Sequence, residues 1–212
     1  MKKVGIVYHH RVTAAKALAE QLSQAVAASN ASPWLCSAKD EEKIRVQMEG
    51  TDLVLSVGGD GTILRVARSI VPREIQILGI NLGKLGFMTE LNAEEAISRV
   101  PEFLAGAGWI DKRSMLEAEL LSTESKAVTD SISLSPALND VVVERGAASR
   151  VVNVRASVDG IPLTTFRGDG VIVSTATGST GYSLAAGGPI LHPQAKEMLL
   201  KPVSAHLTMA HA

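Results

Sequence analysis

Seven residues, Ser56-Val57-Gly58-Gly59-Asp60-Gly61-Thr62, follow directly on the apolar run Leu53-Val54-Leu55. An apolar strand that delivers a glycine-rich turn, opening into the helix-compatible Ile63-Leu64-Arg65-Val66-Ala67-Arg68, exposes backbone N–H groups at a helix start, the arrangement that holds phosphate. An acid, Asp60, stands where a P-loop carries a lysine. A carboxylate beside phosphate is repelled unless it binds a metal ion or takes a proton from a substrate hydroxyl. Asp60 therefore points to phosphoryl transfer, as general base or as a contributor to Mg²⁺ binding. The structural alternative is a tight strand-to-helix turn with an acidic N-cap.

Three further segments carry polar groups in unusual places. In Asn81-Leu82-Gly83-Lys84-Leu85-Gly86-Phe87, two glycines flank Lys84-Leu85 at the end of an expected strand, where ligands sit in open α/β sheets; the alternative is a plain βα loop with Phe87 buried. Asn139-Asp140 lies in an otherwise apolar run, and both residue types are disfavoured in strands. A buried pair needs partners, which a ribose diol or a ligand amide supplies; the alternative is a turn that starts a strand. The fourth segment runs from Arg167-Gly168-Asp169-Gly170 through a strand to Thr175-Ala176-Thr177-Gly178-Ser179-Thr180-Gly181-Tyr182 and on to Gly187-Gly188-Pro189. That density of donors and acceptors suits a nucleotide-like ligand, with Tyr182 able to stack on a base.

Several chemistries are absent. There is no G-x-G-x-x-G, no P-loop and no G-x-S-x-G elbow, and the histidines at 9, 10, 192, 206 and 211 lack metal-ligand spacing. The single Cys36 rules out an internal disulfide and reads as a small core residue. A net charge of −1 gives no global field for nucleic acid. The opening apolar stretch breaks at His9-His10-Arg11, too short for a signal peptide, no run is long enough to span a membrane, and the sequon Asn30-Ala31-Ser32 carries no weight without a secretory signal; a cytoplasmic location is expected.

The elements that must position these groups alternate in the first half. Strands are expected at 4–8, 33–37, 53–57 and 76–80, and helices at 13–28, with Thr13 as N-cap, and at 94–105. With 46% hydrophobic residues and only 3% aromatics, the core must be Val, Ile, Leu and Ala, as in a buried parallel sheet with right-handed crossovers. After Gly106-Ala107-Gly108 the pattern changes. Strands are expected at 138–144, 150–158 and 170–174, with Asp159-Gly160 as a hairpin turn. The expected fold is thus an α/β domain over 1–107 followed by a mostly β, sandwich-like domain over 108–212.

Together the four segments resemble the NAD kinase family, matching its Gly-Gly-Asp-Gly-Thr turn at 58–62, its Asn-Leu-Gly-x-Leu-Gly-Phe loop at 81–87, its Asn-Asp or Asn-Glu pair at 139–140, and its Asp-Gly strand leading into Thr-Gly-Ser-Thr-x-Tyr from 169 to 182. The resemblance implies transfer of the γ-phosphoryl of ATP to the adenosine-ribose 2′-hydroxyl of NAD, with Mg²⁺ or another divalent cation. It implies Asp60 as the catalytic residue, Gly59, Gly61 and Thr62 near phosphate, and Phe87 against adenine. It implies Asn139 and Asp140 on the substrate ribose and Asp169 near the nicotinamide half; Arg167, read from its place near the cleft rather than from the resemblance, is expected to receive phosphate. Thr177, Gly178, Ser179, Thr180, Tyr182 and Ala185 would support NAD, and His206 is a further candidate. Arg65 and Arg68 read as solvated surface charge, while Lys84 lies close enough to the cleft to meet phosphate.

Two departures qualify the match. Ala185 stands where many family members have serine, and the family continues well beyond Gly-Gly-Pro, whereas here Leu200-Lys201-Pro202-Val203-Ser204-Ala205-His206 resembles only the start of a later segment. A shortened β domain would expose apolar faces, so a homo-oligomer is expected to cover them. Two other readings stay open: a lipid or other small-molecule kinase that shares the first turn, and a shortened, non-catalytic nucleotide-binding protein.

Overall fold

Five parallel strands make the first half of the molecule, in a computed structural model that describes residues 1–83, 86–121, 131–146 and 151–205. The chain divides into two compact units, Met1–Ile110 and Asp111–Ala212. In the first, strands β1 (Lys3–Tyr8), β2 (Ser32–Ser37), β3 (Leu53–Val57), β4 (Gln76–Asn81) and the two-residue β5 (Leu91–Asn92) line up in the order β2-β1-β3-β4-β5. Helices α1 (Thr13–Ala28), α2 (Glu41–Gln47), α3 (Asp60–Ile70) and α4 (Ala93–Leu104) connect them.

The strands alternate their apolar side chains between two cores, as buried parallel strands must. Val4, Ile6, Leu53 and Leu55 face Leu18, Leu22 and Val26 of α1 and Val100 of α4. Val7 and Val54 face Ile44 of α2 and Val66 and Ile70 of α3, and buried Cys36 joins this second core. Helices therefore cover both faces. Because β2 and β3 flank β1 on opposite sides, the strand order reverses between β1 and β3, and an open sheet leaves a crevice at the carboxyl ends of such a pair.

Two local details differ from expectation. Thr13 is the first helical residue of α1, not its cap; Val12 holds that position without a side-chain hydrogen bond. Helix α2 was not foreseen: it is seven residues long and buries only Ile44, too little to establish a 3.6-residue period. By contrast, α4 starts with a complete capping box, in which Asn92 Oδ1 accepts from the Glu95 amide and Glu95 Oε1 from the Asn92 amide, each at 3.0 Å.

The second unit is antiparallel throughout. β6 (Glu119–Leu121) pairs with β7 (Ser131–Ser133). Next come β8 (Asp140–Glu144), β9 (Val152–Val158), β10 (Ile161–Gly168), β11 (Gly170–Ser174) and β12 (Leu199–Val203). β9 and β10 form a hairpin whose Asp159 and Gly160 have φ of 50° and 78°, the left-handed pair a two-residue turn of this kind requires. β11 is the centre of a three-stranded sheet, β12-β11-β8. The segment after β11 coils into a single 3₁₀ turn (Gly178–Thr180) and a four-residue helix α5 (Tyr182–Ala185). Val158, Ile161 and Leu163 of the hairpin and Leu120, Leu121 and Ile132 of β6–β7 are more than half exposed. Among the described residues, no helix is long and apolar enough to cross a membrane.

Candidate active site

The glycine turn joins β3 to α3. Gly59 is the N-cap of α3 and Asp60 its first residue, so the acid is not a cap, and no side chain caps this helix. The Asp60 carboxylate reaches instead to the loop after β4, where Oδ2 accepts from the Phe87 amide at 3.1 Å and Oδ1 from the Met88 amide at 3.2 Å. Gly86 lets that loop come close, because a Cβ there would collide with the Asp60 carboxylate. The loop is fixed at both ends. Asn81 Oδ1 accepts from Gly83 N–H at 3.1 Å, and Thr89 Oγ1 from Gly86 N–H at 3.1 Å. The first two motifs are therefore one device, in which the second motif's backbone aims the first motif's acid.

A Cβ on Gly59 or on Gly61 would meet nothing within 4 Å, so the backbone there is open to a ligand. Thr62 is buried, and its Oγ1 and the Ser56 Oγ have no hydrogen-bond partner among the described residues. Phe87 is 71% exposed rather than buried. A loop that turns its amides inward toward Asp60 presents this side chain outward, so the structural alternative for Phe87 fails. Arg65 and Arg68 are exposed, and Arg65 pairs with Glu41 at 3.6 Å. Lys84 lies outside the described residues.

In the second unit the hydroxyl-rich segment wraps around the start of β8. Thr175 Oγ1 donates to Leu138 O at 2.6 Å and accepts from Gly178 N–H at 3.0 Å. Ser179 Oγ donates to Ala176 O at 2.6 Å and accepts from Leu191 N–H at 3.0 Å, and Thr180 Oγ1 donates to Thr177 O at 3.2 Å. Gly178 packs directly on the Asn139 carbonyl, leaving no room for a Cβ. Each of these hydroxyls is bonded within the segment or to the strand start beside it. Thr177 Oγ1 instead accepts from Arg113 Nη1 at 3.4 Å, and Arg113 is held by Asp111 at 2.7 Å.

One polar atom left over belongs to the pair at the start of β8. Asn139 precedes the strand and Asp140 is its first residue, so the pair begins the strand rather than interrupting it. Asn139 Oδ1 is buried without a partner among the described residues, and Ser183 Oγ likewise. Burial pushes the Asp140 carboxyl up from its usual value. A Cβ on Gly181 would stand 3.4 Å from Asn139 Nδ2 and 3.8 Å from Asp140 Oδ2, so Gly181 borders both amide and acid. Asp169, between β10 and β11, faces Arg145 with 3.4 Å between Oδ1 and Nε. Arg167 is exposed on β10, Tyr182 is 42% exposed at the start of α5, and Ala185 closes that helix. His206 lies outside the described residues.

Sequence reasoning missed Arg113 and Arg145. Arg145 has a weak signal, a cation just past a strand that opens on a polar pair; Arg113 has none. Among the described residues no three His, Cys, Asp or Glu side chains converge as a metal cage. Mg²⁺ commonly takes one or two carboxylates together with substrate phosphates, and Asp60 beside an open glycine backbone fits that mode.

Comparison with known proteins follows the same division. Residues 4–107 match the sequence model of the ATP-NAD kinase N-terminal domain, and residues 138–212 that of the ATP-NAD kinase C-terminal domain. The chain is 48% identical over 206 residues to an NAD kinase of Dehalococcoides mccartyi, covering 97% of this chain and 71% of that one. It is 47% identical over 157 residues to an NAD kinase of Chloroflexus aurantiacus, 74% of this chain and 55% of that one. The fold matches yeast NADH kinase complexed with NADH at a TM-score of 0.82 and 24% identity, covering all of this chain and 64% of the other. It also matches an NAD kinase from Archaeoglobus fulgidus in complex with ATP at a TM-score of 0.70 and 26% identity, covering 97% and 74%. Neither a lipid kinase nor a non-catalytic nucleotide-binding protein gains support from these relatives. With both halves matched by one family's domains, and an acid held in place by that family's glycine loop, the chain belongs to the NAD kinase family.

Proposed function

We propose that this chain transfers the γ-phosphoryl group of ATP to the adenosine-ribose 2′-hydroxyl of NAD, giving NADP and ADP. The observation that carries the reading is the Asp60 carboxylate, aimed by two backbone amides beside a glycine turn whose Cα atoms are open. In this reading Asp60 takes the proton of the 2′-hydroxyl as its oxygen attacks the γ-phosphorus, and the bond from that phosphorus to the β-bridging oxygen breaks. A divalent cation, held by donor phosphates with Asp60, would neutralise the charge on the phosphoryl oxygens. The open amides of Gly59 and Gly61 approach phosphate, with Thr62 beside them.

The substrate half of the reading rests on the second unit. Asn139 and Asp140 bind the ribose, a reading supported by the buried Asn139 Oδ1, which has no partner among the described residues, and by the Asp140 carboxyl half-buried beside it. Asp169 approaches the nicotinamide half, and Arg167 meets phosphate. Tyr182 stacks on a base, Phe87 lines the adenine pocket, and Thr177, Gly178, Ser179, Thr180, Ala185 and His206 complete the NAD surface. Self-association covers exposed apolar residues such as Ile161 and Leu163. The reading puts the enzyme in the cytoplasm, with ATP and NAD as small-molecule partners and neither nucleic acid nor membrane involved.

The test is NADP formation from NAD, ATP and Mg²⁺, followed with an NADP-specific dehydrogenase, with Asp60→Asn as control. Turnover lost in the variant supports the reading. No turnover at high enzyme concentration, with NAD still bound, sinks it.

A further inference from the structure

Thr177 differs from the other hydroxyls of its segment. Thr175, Ser179 and Thr180 each donate to a main-chain carbonyl, at 2.6, 2.6 and 3.2 Å. Thr177 Oγ1 instead accepts from Arg113 Nη1 at 3.4 Å, and its own proton has no acceptor among the described residues. A guanidinium has donors only, so the lone pair it occupies turns the Thr177 O–H away from Arg113. The residue is buried, which leaves a donor out of water and without a partner.

Arg113 is itself held by a ring of bonds through three segments of the second unit. Its Nη2 lies 2.7 Å from Asp111 Oδ2, with both side chains partly buried. Asp111 Oδ1 accepts from Gln194 Nε2 at 2.9 Å. In the same loop as Gln194, the Leu191 amide donates to Ser179 Oγ at 3.0 Å, which brings the ring back to the Thr175–Gly181 segment. Just past Arg113, Leu116 and Ala137 exchange both backbone bonds, at 2.8 and 2.9 Å, close along the chain to Asn139. Asp111 therefore takes a bond on each oxygen, and its charge-assisted bond to Arg113 fixes the direction of the guanidinium fork. This ring has no part in the roles assigned above, and Arg113 faces the one hydroxyl of the segment whose proton is unused.

We propose that Arg113 is a positioning residue for the substrate: locked by Asp111, it turns the Thr177 hydroxyl so that its proton is offered to an acceptor oxygen of bound NAD. This rests on the kinase reading and deepens it. Arg113 acts through Thr177 and does not touch the ligand, so its removal leaves Thr177 free to rotate and to spend its proton elsewhere. The effect falls on NAD and not on ATP, whose glycine turn belongs to the first unit. A purely scaffolding ring behaves differently: its loss lowers stability and weakens both substrates together.

The experiment is a double-mutant cycle on wild type, Arg113→Met, Thr177→Val and Arg113→Met/Thr177→Val, with Arg113→Lys as the conservative variant. Calorimetry measures NAD and Mg·ATP binding, steady-state kinetics both KM values and kcat, and a thermal melt the stability. The expected result is about a three- to tenfold loss of NAD affinity in each single variant, seen in KM for NAD more than in kcat, with KM for ATP within about twofold of wild type. The double variant loses no more than the larger single loss, within about twofold, because both changes remove one interaction. Arg113→Lys keeps a donor without the planar fork and falls between wild type and Arg113→Met. If Arg113→Met does not fold, the cycle is run with Arg113→Lys in its place. Unchanged NAD affinity on changing Arg113 overturns the proposal whatever the melting temperature does. So do losses that multiply in the double variant, a loss shared equally by NAD and ATP, and a wild type that binds no NAD. A wild type that binds NAD, shows the coupled loss and makes no NADP leaves the role of Arg113 standing and removes the kinase reading. Turnover to NADP with NAD affinity unaltered in the Arg113 variant does the reverse.

Discussion

The Asp60 turn and the Thr175–Gly181 segment are both glycine-rich and both follow a buried strand, yet their side chains are used in opposite directions. In the first, one carboxylate leaves its own element and is held by amides of a different loop, at 3.1 and 3.2 Å. In the second, Thr175, Ser179 and Thr180 bond to main-chain carbonyls of their own segment or of the strand start beside it. A polar side chain bonded within its own fold is structure. One aimed by another element, with open backbone around it, is available for chemistry. The contrast supports the proposed roles of Asp60, Asn139 and Asp140, and gives the hydroxyls of the second segment a structural role beside any contact they make with NAD.

The largest effect tests the first half of that contrast. Asp60→Asn should lower kcat by about 10²–10⁴-fold, the range for loss of a general base, while NAD affinity changes by no more than about twofold. An asparagine also presents an NH₂ to one of the Phe87 and Met88 amides, so some loosening of the loop is expected. Kinetics with parallel NAD titration checks this; a loss confined to NAD binding would make Asp60 a substrate contact instead.

Thr175→Val tests the other half. Valine keeps the shape but strands the Leu138 carbonyl and the Gly178 amide, which Thr175 Oγ1 serves at 2.6 and 3.0 Å in a buried setting. The expected cost is about 2–4 kcal/mol of stability by chemical denaturation. Thr180→Val, removing a single 3.2 Å bond at a half-buried hydroxyl, should cost under about 1 kcal/mol. Equal and small costs for both would mean that the segment does not depend on its own hydroxyls.

What the sequence made legible follows the same line. The first unit's strands are short runs of Val, Leu and Ile punctuated by polar loops, and α1 has a full apolar stripe, so both were readable as parallel-sheet elements. α2 was not, because a seven-residue helix with one buried side chain leaves no period to read. Asp60 was recognisable as an acid out of place, but the amides that aim it are main-chain groups, and sequence does not report where a backbone N–H points. For the same reason sequence does not report that Thr175, Ser179 and Thr180 bond to carbonyls of the fold. A hydroxyl bonded to a carbonyl a few residues away has the same letter as one facing a nucleotide. Arg113 and Arg145 were missed because they act on residues 64 and 24 positions away along the chain, where no spacing rule reaches.

Phe87 separates exposure from idleness. At 71% exposure it supports little packing, so Phe87→Ala should shift stability by less than about 0.5 kcal/mol. If the ring lines the adenine pocket, the same change should raise KM for NAD by about two- to tenfold, the worth of one aromatic contact. A melting temperature that falls sharply, or a KM that stays put, would return Phe87 to the scaffold.

The smallest effect is the most discriminating, because it requires stability and binding to move in opposite directions. Burial raises the Asp140 carboxyl above its usual 3.8, so the folded chain holds that proton more tightly than the unfolded chain does. Below about pH 3.8 both states carry the proton and the site costs nothing. As pH rises through the window between that value and the raised one, the unfolded chain ionises first and the folded state loses stability. At neutral pH the full penalty is present. Asp140→Asn removes it, so the variant should melt at or slightly above the wild-type temperature at pH 7, and the difference should close on acidification below the window. A scaffolding acid would behave oppositely, stabilising at neutral pH. If the variant is no less stable yet binds NAD more weakly, Asp140 is an acid kept half-buried at a standing cost for the sake of a ribose, which is what distinguishes it from the satisfied hydroxyls beside it.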